Sequence, residues 1–166
     1  MNRSILNMTS TLFIDRFLSG LPNYMTCIPS DFIFHVKDWS NTHVQMPCFF
    51  IVNTSPSHVL TQGHWLLIVI YSIQRCELFD SLALPADQLP VKILDFLSTF
   101  KKVIFSSKPI QSPFSNFCGI YTIARALSVC QAEPIAKFYG NFQEDLLYQN
   151  DILATKYIID NIATVY

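Results

Sequence analysis

Four residues of this chain, in the order His64, Asp80, Gln111 and Cys118, are of the types that nucleophilic catalysis requires. Cys118 follows the polar loop QSPFSN and precedes a run of almost uncharged helix-forming residues, so we expect it at a helix N-terminus. A helix N-terminus stabilises a thiolate, the reactive form of cysteine, through its dipole and free N–H groups. The position is also compatible with a small core side chain, the commoner place for a free cysteine. Cys118 by itself does not decide between the two.

A base and its orienting acid are available if the chain folds back between His64 and Asp80. His64 precedes the apolar run WLLIVIY, and a polar break at residues 72–75 separates that run from a second, shorter one that ends at Asp80. A hairpin about the break brings Asp80 close to His64. A carboxylate there could select the imidazole tautomer and stabilise its charged form. Taken singly, His64 fits a satisfied strand-end residue and Asp80 a turn or cap residue.

An oxyanion hole requires N–H donors beside the nucleophile, and two candidates lie near Cys118. One is its own backbone N–H at the helix start, and the other is the side-chain amide of Gln111, in a loop restricted by Pro113. A solvated loop residue is an equally good interpretation of Gln111. Gly119 would let another backbone or a substrate come close to the nucleophile. The order His, Asp, Cys argues against the papain-like class, in which the cysteine comes first.

The apolar pattern predicts the elements that position these residues. Solid apolar runs at 48–52 and 65–71 indicate central strands covered on both faces. Further strands are predicted at residues 31–36, 76–79 and 102–106. Helical spacing predicts helices at residues 10–19, 93–100, 119 onward, 133–139 and 144–162. We therefore expect an α+β fold: a small mixed or antiparallel sheet packed with helices, with the nucleophile at the N-terminus of a central buried helix.

Composition narrows the function classes. With 166 residues, 51% of them hydrophobic and 14% charged, the chain is expected to form one globular domain spanning residues 1–166. A net charge of −1 without blocks of like charge does not favour DNA binding. Five cysteines without a Cys-x-x-Cys pair fit a reducing compartment better than a disulfide framework or a zinc site. The longest apolar run is too short to span a bilayer and no signal-peptide pattern is visible, so we expect no membrane contact.

Several motifs in the right order make the chain resemble the adenovirus-type cysteine endopeptidases (adenain-like). Their clan also contains the proteases specific for SUMO and other ubiquitin-like proteins. Residues 111–119, QSPFSNFCG, fit the family pattern Gln-x-Pro-x-Ser-x-x-Cys-Gly with its spacing. Residues 63–65, GHW, match the family's His-Trp pair, and residues 78–80, LFD, stand where the family has Leu-Phe-acid. Residues 48–54 are similar to the strand that leads to the family's active-site histidine.

The resemblance implies a cysteine endopeptidase that cuts after small residues, typically glycine, because a narrow groove beside the cysteine excludes side chains. Cys118 would be the nucleophile, His64 its base and ion-pair partner, and Asp80 the residue that orients His64. Gln111 and the Cys118 amide would form the oxyanion hole. Three further residues are expected to line the substrate groove or pack beside the site: Gly63, Trp65 and Gly119.

Adenain-like proteases also use partners, and here the chain departs from the family. Their peptide cofactor is held by a disulfide whose cysteine would fall near Phe100, and no cysteine lies between Cys76 and Cys118. Their DNA cofactor suits a strongly basic protein, unlike this one. We therefore expect no metal and no covalent cofactor, with a non-covalent peptide activator left open. The expected substrates are viral capsid and core precursor proteins. We expect the protein itself inside the host cell, in the cytoplasm or nucleus, or packaged in the virion.

Three alternatives stay open beside a viral or virus-like maturation protease. The first is a deubiquitinase or deSUMOylase-like deconjugating protease, since Asp80 is the acid of that branch, whereas the adenoviral members carry a longer one. The second is a clan-related acyltransferase that uses the same residues. The third is a catalytically dead copy that serves as a binding module, and the four competent site residues argue against it.

Overall fold

A mixed five-stranded sheet forms the centre of the molecule. The computed structural model describes residues 11–41, 45–57 and 63–164. The strands are β1 (Tyr24–Pro29), β2 (Cys48–Asn53), β3 (Trp65–Ser72), β4 (Arg75–Phe79) and β5 (Lys102–Phe105), which lie in this order across the sheet. Strands β2, β3 and β4 are antiparallel, whereas β1 and β5 run parallel to their neighbours. The predicted central strands at 48–52 and 65–71 are thus β2 and β3.

Helices cover both faces of this sheet. They are α1 (Thr11–Leu18), α2 (Val91–Leu97), α3 (Cys118–Cys130), α4 (Ile135–Tyr139) and α5 (Asn150–Ile162), with 3-10 segments at Ser30–Asn41, Ala86–Gln88 and Leu147–Gln149. Successive residues of a strand point to opposite faces. In β2, Phe49 and Ile51 pack in one cluster with α3, α4 and α5, while Phe50 and Val52 pack with α2 on the other face. Helices on both faces explain why β2 and β3 are apolar without alternation.

Helix α3 is the buried helix that the sequence predicts. All its residues from Cys118 to Val129 are buried, and α5 and β3 pack against it. Because it begins at Cys118, the cysteine lies at its N-terminus, at the end of the polar loop. The predicted α+β class, with helices packed on a small mixed sheet, is confirmed.

Two element predictions were wrong. Residues 31–36 form part of a 3-10 helix, not a strand, because burial recurs every third residue: Ile33 and Val36 are buried while Phe32 is exposed. The strand of this region is β1, just before it. The helix predicted from residue 144 begins at Asn150, whose fully buried amide donates to the carbonyl oxygens of Gln143 (2.9 Å) and Ile110 (2.8 Å). The preceding residues therefore fold around this amide instead of extending the helix.

Three further observations concern chemistry elsewhere in the chain. All five cysteine thiols are free. Within residues 11–41, 45–57 and 63–164, no group of three His, Cys, Asp or Glu side chains is arranged to hold a metal ion. Over the same ranges, no helix combines the length and apolarity that crossing a membrane requires.

Candidate active site

The hairpin of β3 and β4 brings His64 and Asp80 together. His64 directly precedes β3 and Asp80 directly follows β4, and the antiparallel register sets Leu67 opposite Phe79. The two ends of the hairpin are therefore neighbours, and His64 Nε2 lies 2.6 Å from Asp80 Oδ1. This is the fold-back that the polar break at residues 72–75 predicts.

The Asp80 carboxylate is held by backbone amides as well as by His64. Oδ1 accepts the N–H of Leu82 (2.8 Å) and Oδ2 that of Leu84 (2.9 Å), while the Asp80 N–H donates to Ser106 Oγ (2.8 Å). Burial by itself would raise the pKa of Asp80. The hydrogen bond and charge of His64, together with the two amides, outweigh it and keep this pKa below its usual value. Asp80 is thus an ionised carboxylate with a fixed orientation.

The backbone of His64 is fixed by residues at the end of β2. Its N–H donates to Thr54 Oγ1 (2.8 Å), and its carbonyl oxygen accepts the Thr54 N–H (2.9 Å). Gly63 has φ +146°, a conformation that side chains disfavour, and a Cβ there would lie 2.1 Å from Asn53 Oδ1. Gly63 therefore allows the close approach of this turn to β2, which sets the position of His64.

The His64 ring is bonded on both sides. With Nε2 bonded to Asp80, Nδ1 is the nitrogen left for the Cys118 side chain, the second hydrogen-bond partner of the ring. Burial alone would lower the pKa of His64, but the bonds to Asp80 and Cys118 raise it to about 9. The raised pKa favours the positively charged form of the imidazole, which lies between the Asp80 carboxylate and the buried Cys118 side chain.

Gln111 is a buried and fully positioned side chain, not a solvated loop residue. It is 1% exposed. Its Oε1 accepts a hydrogen bond from Ser81 Oγ (2.5 Å), and its Nε2 donates to the Ser115 carbonyl oxygen (2.8 Å). Its backbone N–H donates to the Ser81 carbonyl oxygen (3.0 Å). These bonds orient the amide nitrogen toward the loop that leads into Cys118, and they leave Nε2 a second hydrogen.

The other two predicted site residues are packing residues. Trp65 is 4% exposed and belongs to the same apolar cluster as Cys118. Gly119 is buried in the first turn of α3, where its carbonyl oxygen accepts a hydrogen bond from Thr122 Oγ1 (2.8 Å). Both residues belong to the buried surroundings of Cys118.

Sequence reasoning missed Ser81 and a buried ion pair that joins the two halves of the site. The Arg125 guanidinium donates to both carboxylate oxygens of Glu77 at 2.9 Å, and Tyr71 donates to the same carboxylate (2.7 Å). Arg125 lies on α3, two turns after Cys118, while Glu77 lies on β4, shortly before Asp80. A single charge in an otherwise apolar helix was the available signal, since such a charge needs a buried partner.

Comparison with known proteins gives structural matches only. No protein-family model matches the chain, and no curated protein sequence does. The ASFV pS273R protease matches with a TM-score of 0.58 and 13% identity, over 91% of this chain and 65% of that one. AvrA delL154 with IP6 and CoA matches with a TM-score of 0.51 and 16% identity, over 97% of this chain and 71% of that one. The central domain of the uncharacterized Lpg1148 protein from Legionella pneumophila matches with a TM-score of 0.50 and 16% identity, over 91% of this chain and 97% of that one.

At these identities the matches establish the fold alone. It is the SUMO-protease-like cysteine protease fold, which the ASFV and AvrA structures share. The chain spans about two thirds of the ASFV protein that it matches.

Proposed function

We propose that this chain is a cysteine endopeptidase of adenain-like mechanism that cleaves peptide bonds after small residues at Gly-type sites. The observation that carries the proposal is the position of the His64 imidazole, which is hydrogen bonded to Asp80 (2.6 Å) on one side and to the Cys118 side chain on the other. An imidazolium beside a sulfur at a helix N-terminus stabilises the thiolate. A buried thiol that served only for packing would need no such partner.

Acylation follows from this arrangement. The Cys118 thiolate attacks the scissile carbonyl carbon, a C–S bond forms, and the carbonyl electron pair moves onto oxygen. That oxygen is stabilised by the Cys118 N–H, one of the helix-end amides without an intrahelical acceptor, and by the second hydrogen of Gln111 Nε2. As the C–N bond breaks, the leaving amine takes the proton of His64 Nδ1.

Deacylation reverses the proton transfer. Neutral His64 takes a proton from water, which attacks the thioester and passes through a second oxyanion at the same donors. The acid product leaves with the thiolate and imidazolium restored. Asp80 stays ionised throughout, holds one tautomer and stabilises the imidazolium.

The proposed substrates are capsid and core precursors of a virus or virus-like particle. The motif Gln-x-Pro-x-Ser-x-x-Cys-Gly at residues 111–119 supports this assignment, as does the similar fold of a protein named as a protease, ASFV pS273R. We propose action in host cytoplasm or nucleus, or inside the particle. No metal or DNA is required in this proposal, and any peptide activator binds without a disulfide.

The direct test uses fluorogenic peptides with Gly-Gly before the cleavable bond, and the precursor proteins of the particle. Wild type and the control variant Cys130→Ala should cleave them, whereas Cys118→Ala should not. Cys130 is a suitable control because it is a free, half-buried thiol at the opposite end of α3. Absence of cleavage by wild type, or equal cleavage by Cys118→Ala, would remove the proposal.

Acyl transfer is the second candidate, because AvrA delL154, solved with CoA, has a similar fold. The same thiolate would then take an acetyl group from acetyl-CoA. Mass spectrometry would show an acetyl thioester on Cys118 and acetylated target protein, without peptide cleavage. A deconjugating protease would instead be captured by ubiquitin or SUMO probes that carry a C-terminal electrophile.

A further inference from the structure

The loop before the nucleophile is organised around Ser115. The Ser115 N–H donates to the Ser112 carbonyl oxygen (3.0 Å), and its own carbonyl oxygen accepts Gln111 Nε2 (2.8 Å). Its hydroxyl oxygen accepts the N–H of Phe117 (3.2 Å), the residue next to Cys118. Ser115 thus connects the proposed oxyanion donor Gln111 with the backbone that enters α3.

One carboxylate ties this loop to the nucleophile's helix. The Ser115 hydroxyl donates to the two Asp151 carboxylate oxygens (2.9 and 2.8 Å), and the Tyr121 hydroxyl donates to Asp151 Oδ1 (2.9 Å). Tyr121 is buried on α3 one turn after Cys118, and Asp151 is the second residue of α5. Burial, and then the Asp151 charge, raise the pKa of Tyr121, so its hydroxyl keeps the proton that it donates.

We propose that Asp151 is a positioning residue of the oxyanion hole, fixing the Gln111 amide relative to the Cys118 N–H by joining Ser115 to Tyr121. The inference rests on the proposed function. The two donors belong to different segments, loop and helix, and both must lie about 2.7–3.1 Å from the oxyanion. A displacement of about 1 Å can cost about 100-fold in rate. Asp151 contacts both segments and neither reacting atom.

The first measurement compares Asp151→Asn with wild type in two reactions of Cys118. For a Gly-Gly peptide substrate, kcat should fall about 10- to 100-fold while KM changes less than about twofold. Alkylation by iodoacetamide should stay within about twofold, because attack on its saturated carbon forms no oxyanion. Asp160→Asn is the matched control: it lies on the same helix, paired with exposed Lys156, and should change neither reaction.

Further variants keep the test decisive if Asp151→Asn folds poorly. Ser115→Ala removes the loop side of the link, and Tyr121→Phe removes the helix side. Each should lower kcat by a larger factor than the rate of alkylation. Thermal melting followed by circular dichroism checks that each variant is folded. The double variant Ser115→Ala with Asp151→Asn should be no slower than the slower single variant, because both remove one link.

The outcomes separate this inference from the proposed function. If wild type is active and Asp151→Asn has the same kcat, the inference is overturned but the proposed function is not. A parallel loss of kcat and alkylation also overturns it, because it shows general damage to the site. If wild type neither cleaves the peptide nor reacts selectively at Cys118, the proposed function fails and the inference with it.

Discussion

Replacing Asp80 by Asn tests the electrostatics of the site most directly. The pKa of His64 is about 9 against its ordinary 6.5, and a difference of this size corresponds to about 3 kcal/mol at about 1.4 kcal/mol per pKa unit. Asparagine can still accept the hydrogen bond from Nε2, but it brings no charge. Burial, the largest influence on this group, lowers its pKa, and only the Cys118 side chain is then left to oppose it. We expect the pKa of His64 to fall well below 9.

The kinetic consequence follows from the loss of the imidazolium. At pH 7.5 less of the His64 ring is then protonated in Asp80→Asn, so the proposed mechanism loses much of the positive charge beside Cys118. Iodoacetamide alkylation of Cys118 should slow at least tenfold. The value of kcat/KM should fall by about 10³ to 10⁴, the scale seen when the carboxylate of a comparable triad is replaced by an amide.

The assay is a ¹⁵N NMR titration of histidine-labelled protein from pH 5 to 10. The signal of His64 is identified by its loss in His64→Gln. Wild type should titrate near pH 9, and so should the control Asp87→Asn, which removes an exposed acid beyond β4. A wild-type midpoint near 6.5, or a midpoint that Asp80→Asn leaves in place, would refute the reasoning.

Three further predictions concern stability. The raised pKa of His64 adds stability that is complete below pH 6.5 and lost as pH rises toward 9, while the lowered pKa of Asp80 adds stability that is lost on acidification below about 3.8. The melting temperature should therefore be highest between about pH 4 and 6.5, and a flat profile would contradict both shifts. Arg125→Leu should lower the free energy of unfolding, measured with urea, by about 3–5 kcal/mol, because it leaves the buried Glu77 carboxylate without its charged partner. Adding Glu77→Leu should recover part of this loss, and additive losses would argue against the pair. Gly63→Ala should lower both the melting temperature and the rate of Cys118 alkylation, because the backbone has φ +146° and a Cβ would lie 2.1 Å from Asn53 Oδ1. Unchanged values of both would show that this turn adapts to a side chain.

Local patterns predicted much of the scaffold, and the errors have physical reasons. The apolar runs of β2 and β3 identified central strands because both of their faces are buried. The segment DFIFHV alternates like a strand, yet its burial follows a three-residue period because it packs above the sheet as a 3-10 helix. The short stretch YMTCIP has no apolar run, and it becomes β1 only by pairing with β2. Period alone could not separate these cases.

The sequence by itself determined the residue types of the site and their order, and the polar break that lets a hairpin join His64 to Asp80. Motif spacing carried this information, because His64 directly precedes β3, Asp80 directly follows β4, and α3 begins at Cys118. Only the tertiary structure decided what holds these residues in place: Ser81 for Gln111, Glu77 for Arg125, and Asp151 for the loop and α3 together. These partners are 30 to 48 residues apart in sequence, at separations that no local period encodes, so packing of the sheet and helices alone brings them within hydrogen-bond distance.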